Sequence, residues 1–496
     1  MTDIATIEQL AKKKGFFYPS DEIYGGLSGF YTYGHLGTLM KRKLENLWRK
    51  FFLDEDNFFE IDPSIVMSEK VFEASGHLKS FVDPVVKCTK CGTVHRADHI
   101  VESCLNRTFE GLTPKELTNL IKEHNIKCPK CKGSLEEVGI LNMMFPIEIG
   151  AEKDTIGYLR PETAQGVYVN FLNQFNILRK KIPMGLAIVE RAFRNEISPR
   201  QLTTRMREFT QAELQIFFDS DKINEHERWN EIKDYKLVVL PVSEREKKSK
   251  IEMTCEELSK KLPKFYVYYM TKVQKFFLDA LKIPRDKFRF RELSDEEKAF
   301  YNKLHWDMEL NLESLDGFKE IGGVHYRTDH DLSGHQKVSK QSQEIFFENK
   351  KFVPHVLELS FGVDRMLFSL LDLFYSKEKD KVVLKLPVNI APITVSIFPL
   401  VNKDGLDEKA KEVFGKVKCL NAFYDDSGSI GRMYARSDEA GTPFAITIDY
   451  DTMKDNTVTL RNRDDAQQVR IIIKDVADTI CSLLEGKIAF TDLKKN

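Results

Sequence analysis

The stretch GLAIVERAFRNEISPRQLTTRMREFTQAELQIFF (Gly185–Phe218) decides the reading of the chain. Two runs rich in β-branched and aromatic residues flank a polar loop holding Pro199, which predicts strand, loop, strand. On the first run a period of two puts Glu190, Arg194 and Glu196 on one face. On the second, Phe209, Gln211, Glu213 and Gln215 share a face, while Thr210, Ala212, Leu214, Ile216 and Phe218 share the other. One side of the hairpin is therefore expected to be apolar and buried, and the other to present Arg, Glu, aromatic and amide groups. The loop adds Arg200, Arg205 and Arg207. Arginine offers bidentate, permanently charged donors, so cations gathered on one face suit a polyphosphate. A plain antiparallel hairpin with solvent-facing charges has the same pattern, and these residues alone do not separate the two.

Two further stretches bear on that choice. In HVLELSFGVDRMLFSLLDLF (His355–Phe374), Val356, Glu358 and Ser360 share a strand face. A helix then opens at G-V-D-R, with Val363, Met366, Leu367, Leu370, Leu371 and Phe374 on an apolar stripe. Arg365 falls in its first turn, where a cation opposes the helix dipole unless it faces an anion. In YLRPETAQGVYVNF (Tyr158–Phe171), Arg160, Glu162 and Gln165 lie where a strand turns into a helix, with Pro161 and Thr163 as ordinary helix-start residues.

The whole chain has 496 residues, enough for roughly three domains at about 150 residues each. Lys and Arg number 75 against 76 Asp and Glu, so nucleic acid would have to be bound by local patches rather than by bulk charge. A hydrophobic share of 42% excludes a disordered chain. No apolar run reaches the roughly 18 residues of a membrane span, and the opening MTDIATIEQLAKKKGFF has no apolar core of a secretory leader. A cytoplasmic enzyme without a membrane partner is expected. Ile4–Lys14 reads as a helix. A Gly-rich segment follows (Tyr24–Gly37), then the amphipathic TLMKRKLENLWRKFFL, then a strand broken by Pro63. Residues 219–304 are rich in Lys and Glu and carry LPKFYVYYMTKVQKFFLDALKI, which predicts a mostly helical, surface-exposed insertion. Two prolines in LPVNIAP (Leu386–Pro392) mark a linker, and the alternating runs beyond it predict a compact α/β domain over residues 389–496.

Eight cysteines are too few for a disulfide scaffold, but four form two C-x-x-C pairs. Cys88 and Cys91 are separated from Cys128 and Cys131 by 36 residues, and four such thiolates suit a tetrahedral structural Zn²⁺. Gly92 and Gly133 follow the two pairs, and His95, His99 and Cys104 are possible substitute ligands.

Taken in order, the Pro63 strand, F-R-N-E through R-E-F-T-Q-A-E (Phe193–Glu213) and G-V-D-R resemble motifs 1, 2 and 3 of class II aminoacyl-tRNA synthetases. With RPETAQG, LELSFGVDR and YDDSGSIGRMYARSDEAGTPF (Tyr424–Phe444), the set closely resembles the single-chain, homodimeric glycyl-tRNA synthetases. The resemblance implies an α+β fold. Residues 1–388 would be a class II catalytic domain built on an antiparallel sheet, interrupted by the insertion 82–140, whose cysteine spacing and not the resemblance suggests zinc, and by the mostly helical insertion 219–304. Residues 389–496 would be an α/β anticodon-binding domain. It implies glycine, ATP with Mg²⁺, and tRNA(Gly) as partners, and a homodimer formed by helix 38–53 and the Pro63 strand.

The resemblance also implies residue roles. Arg194 would meet the ATP α-phosphate, with Asn195 beside it, and Glu196 would lie on the adenine side. Thr204, Arg205 and Arg207 would bind the β- and γ-phosphates. Phe209 would stack on the adenine, with Arg365 on its other face, flanked by Gly362 and Asp364. Glu320 and Ile321 match the segment that binds ATP through metal and backbone. Glu162, Glu213, Glu358 and Ser360 match a glycine pocket, with Thr210, Gln211, Phe209 and Gly362 around it and Arg96 as a further contact. Three carboxylates can hold one ammonium by charge-assisted bonds and leave no room for a β-carbon. Residues 389–496 carry 15 Lys and Arg against 17 Asp and Glu, a net −2, so RNA reading there would rest on stacking and edge contacts, with Arg432, Arg436, Arg461 and Arg463 as candidates. A non-catalytic nucleic-acid-binding relative such as a polymerase accessory subunit, or a class II synthetase for another amino acid, are the competing readings. Such an accessory protein need not keep Arg194, Glu196, Arg365 and the pocket carboxylates, all of which stand in this chain.

Overall fold

The computed structural model describes residues 3–107, 112–152, 155–199, 201–299, 301–378 and 381–495. Arg200 lies outside the described residues. The hairpin is present as strands Met184–Phe193 and Glu208–Phe218, antiparallel, with Ile188 opposite Glu213 and Glu190 opposite Gln211. It lies within a nine-stranded sheet. Across that sheet the order is Ile251–Thr254, Lys236–Leu240, Phe288–Glu292, Leu304–Leu312, Gly317–Thr328, His355–Gly362, Glu208–Phe218, Met184–Phe193 and Phe59–Glu60. All neighbours run antiparallel except Lys236–Leu240 with Phe288–Glu292 and Met184–Phe193 with Phe59–Glu60.

Period-two alternation explains one face of this sheet. Ala212, Leu214, Ile216, Leu359, Phe361 and Val324 point into the main core. Helices His35–Arg49, Lys264–Lys275 and Val363–Phe374 cover them. Trp48 meets the Phe361 ring edge-on at 5.9 Å, and Phe52 lies 5.0 Å from the same ring. The apolar stripe of helix 38–53 is therefore spent inside the chain, and it cannot by itself require a second copy. The opposite face of the sheet presents the Glu and amide groups that the alternation predicts. It is polar but buried: Gln211, Glu213, Gln215 and Glu358 are all within 7% exposure. The short helix Ala164–Tyr168 and helix His330–Ser339 roof it.

Residues 219–304 differ from the surface insertion expected of them. Helical segments do outnumber strands, but Lys236–Leu240, Ile251–Thr254 and Phe288–Glu292 form one flank of the central sheet. Helix Lys264–Lys275, continued by the π-helical turn Phe276–Ala280, buries Tyr266, Val267, Met270, Val273 and Phe276 in the main core. The Lys and Glu that suggested a solvated region sit mostly in the connecting loops, while KLVVL and FRFRE supply short strands that an averaged composition hides.

Residues 82–140 form a small module. Strands Val94–Arg96, Val82–Lys87 and Gly139–Asn142 make its sheet, and helices Ala97–Leu105 and Pro114–Glu123 pack on it. Thr113 and Glu116 cap the second helix reciprocally, with Pro114 at its first position. Among the described residues its core is Val86, Ala97, Ile100, Val101, Leu117, Ile121 and Ile126.

The C-terminal region has its own five-stranded sheet, ordered Ala422–Tyr424, Val395–Pro399, Phe444–Ile448, Thr457–Asn462 and Gln468–Ile472, and its own core. Segment 386–392 is no loose tether. Leu386, Ile390 and Ala391 are buried in the main core, and Arg463 donates to the Leu386 carbonyl at 2.9 Å. No helix among the described residues is long and apolar enough to cross a membrane.

Candidate functional site

The polar face of the sheet opens into a cavity of about 270 Å³. At its cationic end, Arg194 projects from the end of strand Met184–Phe193. Its Nε–H donates to the Pro161 carbonyl at 3.0 Å, and its guanidinium lies over the Phe209 ring at 5.2 Å and the Phe81 ring at 5.4 Å. Glu196 is buried and accepts from Arg205 at 2.7–2.8 Å. The 3₁₀ turn Leu202–Thr204 brings the Thr204 carbonyl to Arg365 Nε at 3.0 Å. Arg365 also pairs with Glu320 at 2.7 Å. The floor beneath is backbone from Ile321, Gly322 and Gly323. A Cβ on Gly322 would fall 2.1 Å from the Ser360 carbonyl oxygen, so only glycine fits there. Gly362 and Asp364 complete this end. Asp364 accepts from the Thr210 N–H at 2.5 Å and from the Tyr33 hydroxyl, and lies 3.6 Å from Lys41. The Thr210 hydroxyl accepts from Lys41 Nζ at 2.5 Å on the far face of the strand, so what it turns to the cavity is backbone.

At the other end, Glu162, Glu213 and Glu358 come together, as their motifs implied. Glu213 accepts from Ser360 at 2.7 Å, Gln211 at 2.8 Å and Thr163 at 2.5 Å, all neutral donors. Burial, then the charge of Glu162, raises its pKa. Glu358 accepts from Gln215 at 2.8 Å and Arg327 at 2.9 Å, and burial pushes its carboxyl up to about 8 despite Arg327. Burial would raise Glu162 too, but Arg327 and then His77 hold it well below the ordinary range.

Arg327 is what the sequence reading missed. It is 1% exposed and donates to Asp331 at 2.8 and 3.0 Å as well as to Glu358. Gln165 bridges Asp331 and Glu162. The carboxylates thus already enclose one cation, and Glu213 is the one without a cationic hydrogen-bond partner. The only local signal was an Arg327–Asp331 spacing of four in the polar run HYRTDHD, where the strand Gly317–Thr328 gives way to the helix His330–Ser339, and such a pair reads as exposed until the strand is seen to be central. His305, Asp307 and His325 also line the cavity unanticipated. Burial, then the neighbouring His305, keeps His325 well below its ordinary pKa and so neutral.

Three expected residues do not line the cavity. Arg207 donates from Nε to the Glu196 carbonyl at 3.0 Å and from a terminal nitrogen to the Ser28 carbonyl at 2.9 Å, so it fastens the Gly-rich segment to the hairpin loop. Asn195 uses its N–H on the Met143 carbonyl. Arg96 pairs with Asp98 and Asp83 inside the small module.

In that module the sulfurs of Cys88, Cys91, Cys128 and Cys131 all lie within 4.8 Å of one another. Gly92 takes a φ of +68°, as its turn requires. A Cβ on Gly133 would lie 2.6 Å from the Lys90 Cβ and 3.0 Å from the Cys88 sulfur, so glycine there keeps room for the thiols. Four converging thiols fit a tetrahedral ion. His95 approaches Cys128 at 3.4 Å, while His99 and Cys104 are not among the four.

In the C-terminal region, Arg463 is buried, Arg461 is paired with Asp438 at 2.8 Å and Arg436 with Asp425 at 2.7 Å. Of the four arginines suggested for RNA, only Arg432 is exposed without such a pair among the described residues.

Residues 147–374 match the family model of the tRNA synthetase class II core domain (G, H, P, S and T), and residues 394–483 match that of an anticodon binding domain. The chain is 39% identical to the glycine–tRNA ligase of Thermococcus gammatolerans, over 97% of this chain and 98% of that one. It is 38% identical to the glycine–tRNA ligase of Pyrococcus furiosus, over 97% and 99%. Among solved structures it is similar in fold to the prolyl-tRNA synthetase of Cryptosporidium parvum complexed with L-proline and AMP. That match has a TM-score of 0.60 at 13% identity and covers 98% of this chain and 76% of that one.

Proposed function

The chain belongs to the glycine–tRNA ligases, class II synthetases with an anticodon-binding domain, and from that premise we propose how its residues divide the reaction. The enzyme joins glycine to ATP as glycyl-adenylate with release of pyrophosphate, then passes the glycyl group to its tRNA.

The observation that carries our reading is the closed carboxylate cluster beside an arginine-lined cavity. Glu213, bonded only to neutral donors, takes the ammonium, with Glu162, Glu358 and Ser360 around it. A larger amino acid is turned away by the roof of residues 162–165, and steric exclusion of a bigger side chain needs no editing step. Arg194 meets the α-phosphate as the glycine carboxylate attacks in line. Arg205 and the Thr204 turn take the outer phosphates. Arg365 leaves Glu320 for ATP, whose adenine packs on Phe209 near Glu196. Magnesium arriving with ATP supplies further positive charge, and Glu320 is the carboxylate that would hold it. Positioning and charge stabilisation do the chemistry, with no protein nucleophile.

Cys88, Cys91, Cys128 and Cys131 hold one structural zinc, a closed set with no position left for water. The chain works in the cytoplasm as a homodimer. Phe59 in the short edge strand of the central sheet and Ile177 at the end of the helix Phe171–Ile177 are 40% and 69% exposed along one groove, which supports an interface there. Light scattering that gives a fully active monomer at micromolar concentration would remove the dimer.

Amino-acid-dependent ATP–pyrophosphate exchange across the amino acids tests the whole reading. Exchange with glycine alone is expected; equal exchange with alanine or serine would overturn the pocket assignment.

A further inference from the structure

The cysteine module leaves the catalytic body through strands Val82–Lys87 and Gly139–Asn142, which pair with each other. The residues at their roots reach the cleft. Met143 N–H donates to the Phe81 carbonyl at 3.1 Å, and Asn195 N–H donates to the Met143 carbonyl at 2.7 Å. Asn195 is the residue after Arg194, and the Phe81 ring lies beneath the Arg194 guanidinium at 5.4 Å. Phe81 itself does not line the cavity, whereas Arg194 does.

Arg194 is held in an unusual way for a cation in a buried network. Its Nε–H is used by the Pro161 carbonyl, and its two terminal nitrogens make no hydrogen bond among the described residues. Arg205 and Arg365, by contrast, are tied to carboxylates. A ring face orients a planar guanidinium without occupying its N–H donors. Orientation by Phe81 and Phe209 therefore leaves the fork available for an anion, where a carboxylate partner would compete with it.

We propose that Phe81 is a positioning residue for Arg194, and that the contacts Phe81–Met143–Asn195 couple the cysteine module to the cation that meets the α-phosphate. The inference rests on the role of Arg194 given above. Phe81 acts through Arg194 alone and leaves the carboxylate pocket untouched.

Glycine-dependent ATP–pyrophosphate exchange is measured on full-length F81L, F81M, F81Y and R194A enzymes. F81L and F81M are expected to lose ~10-fold in kcat, the size of one cation–π contact. Their KM for glycine stays at the wild-type value, because uniform glycine binding is unaffected. F81Y, which keeps the ring, returns kcat to within about twofold of wild type. F81M carries the same expectation should F81L fail to fold. Normal exchange by R194A would remove the role of Arg194 itself. An inactive R194A alongside wild-type kcat in F81L and F81M would overturn the positioning role alone. So would an F81Y enzyme as slow as F81L, or a loss that falls on the glycine KM.

Discussion

The catalytic cleft and the cysteine module fix their side chains by different means. In the cleft, polar groups are set on the central strands of a nine-stranded sheet whose other face is the main core. Glu162, Glu213, Glu358, Arg327 and Asp331 are all buried, and each is held by hydrogen bonds from two or more elements. Among the described residues the module has seven buried apolar residues in its core and four thiols gathered together. Depth of burial organises the first; in our reading a metal cross-link organises the second. The difference separates damage to chemistry from damage to structure.

The largest effect should come from a cleft residue on which little packing depends. Arg194→Ala is expected to cut glycine-dependent exchange on the order of 10²–10³-fold, as for loss of one transition-state donor, while the thermal midpoint stays near wild type. If the midpoint collapsed with activity, the cleft would be as structurally fragile as the module and the contrast would fail.

Next comes Glu213→Gln, expected to raise the glycine KM by roughly 10- to 150-fold, the worth of a buried charge-assisted bond, with little change in the ATP KM. Equal damage to both constants would break the division of the cleft into two ends.

The pH dependence sharpens the same division. Glu358 is pushed up to about 8, so near neutrality it is largely protonated, and an ammonium binds better once it ionises. The glycine KM should therefore fall as pH rises through about 8, and Glu358→Gln should flatten that profile. Stability has the opposite sign. A carboxyl raised in the folded state contributes stability below its unfolded pKa and loses it as pH rises through about 8. A glycine KM that rises over this window would contradict the assignment.

The smallest effect on chemistry is expected from the module. Cys128→Ser or a chelator should admit protease between Gly92 and Lys127 before exchange is abolished, and should lower bound zinc below one ion per chain. Unchanged zinc in Cys128→Ser would sink the metal assignment.

The hairpin, the helix Ile4–Lys14 and the motif residues of the cleft were legible because their signals are local, such as period two and a strand running into a helix. Arg327 was not, since its meaning depends on Glu162, Glu358 and Tyr301 arriving from distant parts of the chain. Arg207 shares its loop and charge with Arg205, yet the Ser28 carbonyl draws it away from the cavity. The stripe on helix His35–Arg49 was visible, but which surface it covers was set by Phe361, three hundred residues on. Composition misled at residues 219–304, where charged loops outweighed three short strands.

Those three strands also govern how the enzyme could be shortened. A trimmed version lacking residues 219–304 would look, on the sequence, like the removal of a decoration. On the sheet it would strip Phe288–Glu292 from the strand Leu304–Leu312 and leave that strand's remaining eight residues, most of them buried, as a bare edge. Such an edge pairs with whatever strand it meets, so the shortened chain is a candidate for edge-to-edge aggregation even with every reacting group intact. Miniaturising this catalyst would begin with a substitute for that flank, not with its deletion.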